Sequence, residues 1–214
     1  MDLKIKYADA RAGLRNVMWM NCGDDQLSLF EDSAPSVPKS PRDFIVMPIE
    51  KAVAASLYAA HHYLGDKGFL CQYSFGATYQ SRIWACITFA VPNAKHIKGI
   101  YAEDEQKGVL ELNRLVAHPD CPRNTCSWLI AQSIKTLRKK YPVRIIITYA
   151  DTAQGHTGAI YKAANFTYVG LTAPKTDFVH PDGKIRKMKG VKYSDMEGEW
   201  VPRSRKHLFV KRYE

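Results

Sequence analysis

Two histidines and a tyrosine stand side by side in the run AHHYLG, where a helical pattern meets a glycine. Imidazole titrates near neutral pH, so it suits proton transfer or metal ligation. His61 falls with Val53, Leu57 and Ala60 on one helical face and reads as a core histidine. His62 and Tyr63 fall at the junction of helix and loop, where functional side chains collect. A second cluster, TYADTAQGH, begins at the C-terminal end of the apolar run VRIIITYA. Ligands of open α/β sheets gather at such strand ends. Asp151 there is either a proton-handling carboxylate or the cap of the following turn.

Arg114 lies in ELNRL. Strand alternation sets it on the face of Leu112, opposite Glu111, Asn113 and Leu115. A cation inside a core strand needs a phosphate or a carboxylate. A structural ion pair with Asp151 or Glu111 is the alternative. His118, Cys121 and Cys126 do not make a zinc site, because a paired C-x-x-C and a fourth ligand are missing.

These groups need a scaffold, and the patterning supplies one. FIVMPI predicts a strand, Glu50 to His62 a helix, and FLCQYSF and RIWACITFAV two strands joined by the turn ATYQS. GVLELNRLVA is the next strand. A helix follows, with Asn124 or Thr125 as N-cap and Cys126, Leu129, Ile130, Ser133, Ile134 and Leu137 at helical spacing. VRIIITYA reads as a strand buried on both faces. Thr157 to Ala164 is a short helix, FTYVGL a strand, TDFVHPDGKIRKM a hairpin closed at Asp182-Gly183, and HLFVKRY a final strand. The order β-α-β-β-β-α-β-α-β-β predicts an α/β fold with a central mixed sheet flanked by helices.

The chain has 214 residues, enough for one sizeable core. Its formal net charge of +10 favours a polyanionic partner, nucleic acid or an acidic membrane surface. From Leu171 onward eleven Lys/Arg face six Asp/Glu, so this tail carries about half of the excess. Lys184, Arg186, Lys187, Arg203, Arg205 and Lys206 are its candidate phosphate contacts. Five cysteines without framework spacing read as reduced thiols of a cytoplasm. Neither a signal peptide nor a membrane span is expected. Residues 1–43 read as a partly flexible N-terminal arm, Ser- and Pro-rich in its second half, ahead of a domain over 44–214. Within the arm, Gln26, Leu27, Leu29 and Phe30 resemble the short peptide by which bacterial replication proteins dock on the sliding clamp.

Residues 108–170, read as strand, proline turn, helix, strand, short helix and strand, resemble the core of the GNAT acyltransferases. From about Phe44 onward the chain looks still more like the Mom DNA-modification proteins of Mu-type bacteriophages, through HYLG, ELNRL, CPRNTCS, YADTAQGHTG and IYKAANFTYVG. The first resemblance implies a GNAT-like fold and an acyl-coenzyme A whose pyrophosphate lies on a helix N-terminus, at HPDCPRNTCSW. Arg123 stands there. Thr125, Cys126 and Ser127 replace the glycines of that family, and bulk hinders backbone approach to phosphate. The Thr125 and Ser127 hydroxyls could donate instead. In many GNAT enzymes a tyrosine at the place of Tyr161 protonates the leaving thiolate; a core aromatic is the alternative.

The second resemblance implies modification of adenine N6 in double-stranded DNA to N6-carbamoylmethyl-adenine, which blocks host restriction in the bacterial cytoplasm. It weights His62, Tyr63, Arg114, Ser127, Asp151 and Tyr161. Plain acetyl transfer cannot make that product, so another donor, a rearrangement or metal-assisted chemistry is implied. Iron held by His62, Tyr63 and Asp151 would be one form of it. The base must leave the stack, and Tyr63, Tyr79, Trp84 and Tyr149 are candidate stacking partners. Two other readings stand beside this one: an acetyltransferase of a protein or small amine, and a DNA-binding adaptor whose arm docks on a clamp.

Overall fold

A computed structural model describes residues 36–93, 108–183 and 197–213. In chain order the elements are β1 (Ile45–Pro48), α1 (Lys51–His61), β2 (Tyr73–Tyr79), β3 (Arg82–Ala90), β4 (Val109–Ala117), α2 (Thr125–Lys140), β5 (Ile145–Asp151), α3 (Ala159–Ala163), β6 (Thr167–Leu171), β7 (Thr176–Val179), β8 (Glu199–Pro202) and β9 (Lys206–Arg212). Seven strands form one sheet in the order β1-β2-β3-β4-β5-β9-β6. Neighbours are antiparallel except β4 and β5. The fold is α/β, a central mixed sheet flanked by helices.

The two longer helices cover opposite faces, because each has one apolar side. α2 buries Leu129, Ile130, Ile134 and Leu137 against Leu110, Leu112 and Ile146 of the sheet. Each such side chain contributes about 1.5–3 kcal/mol on leaving water. Arg138, Lys139 and Lys140 complete the last turn of α2, where cations suit the dipole. α1 packs on the other face with Ala54, Leu57 and Tyr58, joined by Phe69, Ile83 and Cys86. The buried face of α1 thus centres on Tyr58 rather than Ala60, which is exposed.

Local chemistry moved several boundaries. The β2–β3 turn is two residues, Gln80 and Ser81, both at positive φ (48° and 60°), instead of the five-residue ATYQS. Paired positive φ values give a turn that follows the strand twist. β2 begins at Tyr73, four residues later than FLCQYSF implies. At the start of α2 Asn124 is left-handed (φ 70°) and makes no side-chain cap bond. β7 pairs with β8, Phe178 opposite Trp200; KIRKM, the second arm expected of the hairpin at Asp182-Gly183, falls in residues 184–196 and lies outside the described residues. β9 then enters the sheet between β5 and β6, so a late segment completes its interior.

Two irregularities in β4 position the site. The β3–β4 register shifts so that Thr88 pairs with Arg114 and Phe89 with Leu112, leaving Asn113 as the extra residue of a bulge. Leu110 and Leu112 point to the α2 side before the bulge; Leu115 and Ala117 do so after it. Arg114 is therefore turned to the α1 side with Val116, not to the face of Leu112 as plain alternation required. Secondly, β4 pairs with β5 only from Val109–Ile145 to Leu112–Thr148. Beyond Leu112 the two strands part, and β5 stays paired to β9 as far as Asp151–Lys206.

Candidate functional site

The fork between β4 and β5 is a cavity of about 440 Å³. Glu111, Asn113 and Arg114 line it from β4, Tyr149 from β5, and Lys206 from β9. His62 and Tyr63 close it from the end of α1, and His156 and Tyr161 from the segment around α3. Cys126 lies where it meets α2. Among the residues picked out by sequence, the structure thus brings together His62, Tyr63, Arg114, Tyr149, Tyr161 and Lys206.

His62 is held from several sides. Its backbone N–H donates to the Tyr58 carbonyl at 2.9 Å and so ends α1. Its Nδ1 accepts the backbone N–H of Leu64 at 3.1 Å. The ring stacks on Tyr63 (4.6 Å, 25°) and meets Tyr58 edge-on (5.8 Å, 82°). Burial, with Arg114 and then His156 nearby, pushes its pKa down to about 4. The ring is neutral at pH 7. His156 touches the Tyr63 ring edge-on at 5.8 Å, and Tyr63 is itself 39% exposed at the rim.

Arg114 reaches the cavity with bonds to spare. One terminal nitrogen donates to the Asn113 carbonyl at 3.1 Å, while its Nε is buried without a hydrogen-bond partner. Burial lowers its pKa, opposed by Tyr63, Tyr58 and Glu111. The Glu111 carboxylate accepts from Asn113 at 3.2 Å. Tyr161 is buried against Phe209 and Phe166. Burial raises its pKa and the Thr148 hydroxyl opposes the rise, so it remains a phenol and a donor.

Asp151 is placed differently. Its carboxylate accepts the Ala153 N–H at 3.0 Å, as the cap of a short 3₁₀ turn over Thr152–Gln154. Its other oxygen lies 3.9 Å from Lys206 Nζ, and it does not line the cavity. It is a loose ion-pair partner of Lys206, a cavity residue that the sequence placed on the DNA-contacting tail. Of the expected iron set, His62 and Tyr63 line the cavity and Asp151 does not. Among the described residues no three His, Cys, Asp or Glu side chains are grouped to hold a metal ion.

A second hollow of about 380 Å³ continues past the N-terminus of α2, sharing Ala117, Cys126, Ala159 and Ile160 with the first. The Thr125 hydroxyl donates to the Pro122 carbonyl at 2.7 Å and the Ser127 hydroxyl to the Asn124 carbonyl at 3.1 Å. Neither hydroxyl is free to donate to a phosphate, contrary to expectation. The first-turn N–H groups of α2 are the donors that remain. Arg123 is exposed and does not line this hollow.

The remaining expectations divide by position. Of the stacking candidates, Tyr63 and Tyr149 line the cavity. Trp84 is buried, its Nε1 donating to the Tyr79 carbonyl, and the Tyr79 hydroxyl meets Ser36. Arg203 makes a two-pronged ion pair with Asp177, and Arg205 donates from Nε to the Thr172 carbonyl at 2.7 Å. Lys184, Arg186, Lys187 and the docking peptide Gln26, Leu27, Leu29 and Phe30 lie outside the described residues. Residues 36–43 of the arm include a turn capped by Ser40 and Asp43, and Phe44 beyond them packs on Trp128. The described cysteines, Cys71, Cys86, Cys121 and Cys126, are free. Burial raises the thiol pKa of Cys126, and that of Cys121 to about 12. No described helix is long and apolar enough to cross a membrane.

Sequence reasoning gave His156 no role of its own within TYADTAQGH and placed Lys206 only among the phosphate contacts of the tail. His156 follows Gly155, which is left-handed (φ 66°) and turns the chain back over the fork. A histidine just after a glycine beyond a buried strand was the available signal. Lys206 could be found only from the β5–β9 pairing.

Comparison with known proteins bears on the chain as a whole. Residues 43–214 match the Mom protein family. The methylcarbamoylase mom of Escherichia phage Mu is 29% identical over 118 residues, covering 53% of this chain and 48% of that protein. The match thus spans about half the length of the curated relative. Among solved structures, an N-acetyltransferase from Staphylococcus aureus Mu50 has a TM-score of 0.49 at 8% identity, covering 79% of this chain and 98% of that one. The ribosomal-protein-S18-alanine N-acetyltransferase of Escherichia coli has a TM-score of 0.48 at 12% identity, covering 79% and 93%.

Proposed function

The chain belongs to the Mom protein family, and from that premise we propose that it is a phage DNA-modifying transferase that builds N6-carbamoylmethyl-adenine and so shields DNA from host restriction. The observation that carries this reading is the forked cavity. It sets a neutral His62, a protonated Tyr161 and the unpartnered Nε of Arg114 behind an exposed aromatic rim. An adenine must leave the helix to present N6, and a flipped base needs a stacking surface and edge contacts. Tyr63 supplies the surface at the mouth. Arg114 fits a carbonyl or anionic oxygen of the group being transferred, because a buried unpaired donor gains most from such a partner. Tyr161 can protonate a leaving atom that the solvent does not reach. The net charge of +10 draws the protein to duplex DNA and predicts affinity that falls steeply with salt.

The donor enters by the second hollow. A coenzyme A-type donor would rest its phosphates on the N–H groups of Cys126 and Ser127 at the start of α2 and supply an activated carbon. This fit is to backbone donors alone, since both neighbouring hydroxyls are engaged. Transfer to a protein or small amine is the second reading, favoured by that same hollow beside a helix N-terminus. Among the described residues no three His, Cys, Asp or Glu side chains are grouped to hold iron.

Nucleoside mass spectrometry of DNA from bacteria expressing this chain, beside Arg114→Ala, tests the reading. A carbamoylmethyl-deoxyadenosine peak lost in the variant is expected. An acetylated nucleoside would point to simple acyl transfer. Unmodified DNA from cells holding folded protein would overturn the reading.

A further inference from the structure

We propose that the outward face of α2, together with the end of β9, holds the phosphate backbone of duplex DNA at a distance from the base being modified. This rests on the DNA-modifying reading above. Between Cys121 and Thr176 the chain has eight Lys/Arg and a single acid, Asp151. That excess of seven is larger than the excess of five carried from Leu171 onward. The tail is also more engaged than its charge suggests, because Arg203 is paired with Asp177 and Arg205 donates to the Thr172 carbonyl. α2, α3, β6 and β9 contain no Asp or Glu. α2 alone contributes Lys135, Arg138, Lys139 and Lys140, all exposed. The helix dipole accounts for cations in the last turn. It accounts neither for Lys135, one turn earlier, nor for Lys211 of β9 beside it.

These groups meet at a hollow of about 390 Å³ lined by Lys135, Arg138, Lys139, Lys211 and Tyr213. No carboxylate is among the described residues that line it. Lys135, Arg138 and Lys139 stand three and four residues apart, where like charges on a helix repel. The Arg138 guanidinium lies 4.1 Å over the Tyr213 ring, which restrains its donors. Lys211 Nζ donates to the Ala164 carbonyl at 2.7 Å. An ammonium has three donors, and that carbonyl takes one. Burial, and then Arg138, push the Lys211 pKa down. Two cations are thus held beside each other, and a phosphodiester oxygen would relieve their repulsion through charge-assisted bonds. Such contacts position a duplex without reading its sequence. β9 joins this hollow to the fork, since Lys206 lines the cavity and Lys211 the hollow. Five residues of strand span about 17 Å. At about 3.4 Å per base pair that is about five base pairs of duplex. The hollow therefore grips the backbone outside the pair that is opened, and holds the duplex while one base leaves the stack.

Binding of the whole chain to a duplex of about 20 base pairs, followed by fluorescence anisotropy over a range of salt, tests this without any reaction. Lys135→Glu/Lys139→Glu should weaken binding about 10-fold or more at low salt, on every sequence alike, and flatten the slope of log affinity against log salt by about two. Lys135→Gln/Lys139→Gln, which removes the charge without reversing it, should flatten the slope as much and lose less affinity. Lys51→Glu/Arg82→Glu makes the same charge change on α1 and β3 and should cost less than about threefold. Unchanged affinity and slope in the α2 variants would overturn the proposal. So would an equal loss in the α1–β3 variant, or a natural chain that does not bind the duplex. Lost binding to phosphatidylserine vesicles with DNA binding intact would give this face to a membrane and overturn it too. Failure of the adenine chemistry shows separately, as a natural chain that binds the duplex and leaves its nucleosides unmodified.

Discussion

The parallel pair β4–β5 has two halves that behave as different materials. From Val109 to Leu112 it is zipped to Ile145–Thr148, and every residue of that β5 stretch is buried. From Asn113 onward the same strands diverge and hold Arg114, Tyr149 and the cavity. One extra residue, Asn113, separates them. It reverses the facing of all that follows and turns a cation away from the α2 core. Stability is concentrated in the zipped half. Groups that are poor choices for stability sit in the open half: an unpaired Nε, a neutral histidine and a buried phenol.

The largest expected effect tests that division directly. Ile146 is fully buried beneath α2. Ile146→Ala should cost about 2–5 kcal/mol in urea unfolding, from lost burial and the cavity left behind. Arg114→Ala should cost less than about 1 kcal/mol, because it removes a buried group whose Nε is unsatisfied. DNA modification by Arg114→Ala should nonetheless be lost. Equal destabilisation by the two would mean that the halves are not distinct.

Gly158 is the seam between the site and the core. Its φ is 75°, and a Cβ there would lie 2.2 Å from the ring of the fully buried Phe209. Gly158→Ala should cost about 1–3 kcal/mol through backbone strain and overpacking. Because α3 starts at the next residue, Tyr161 should move as well. A thermal melt together with the Tyr161 fluorescence environment reads both. An unshifted melt would mean that Phe209 yields freely.

The zipped half was legible in the sequence and the open half was not. VRIIITYA announces a strand buried on two faces, and Leu129, Ile130, Ile134 and Leu137 announce the helix above it, because burial follows period. The bulge at Asn113 has no such periodic signature, so alternation put Arg114 on the wrong face. The left-handed Asn124 and the two-residue Gln80-Ser81 turn escaped for a like reason: each depends on φ at single residues. His62, Tyr63, Arg114 and Tyr161 could be picked out by type and neighbourhood. That Asp151 holds a turn and Lys206 instead faces the fork is fixed by β9, a strand more than fifty residues away in the chain.

Acid should sharpen the comparison. The folded state holds His62 at about 4, against an ordinary value of 6.5. The unfolded chain therefore binds its proton first as pH falls. Stability should be level above about pH 6.5 and decline towards about pH 4, by roughly 1–2 kcal/mol once solvent screening of the partly exposed ring is allowed for. His61 and His118, also lowered by burial, act in the same direction. His62→Gln should flatten part of this slope. An unchanged slope would place the acid sensitivity outside the fork.

The smallest expected effect bears on the donor end of the open half. Asn124 is left-handed with no cap bond, so Asn124→Gly relieves local strain and adds freedom to the unfolded chain. The two nearly cancel, and stability should change by less than about 0.5 kcal/mol. The variant thus probes binding without disturbing folding. It opens the approach to the first N–H groups of α2, where the glycine-poor turn hinders a phosphate. If the donor rests its phosphates there, calorimetry should show coenzyme A bound more tightly by Asn124→Gly than by the natural chain. Equal or absent binding in both would move the donor off this helix end and leave the second hollow to the nucleic acid strand beside the flipped base.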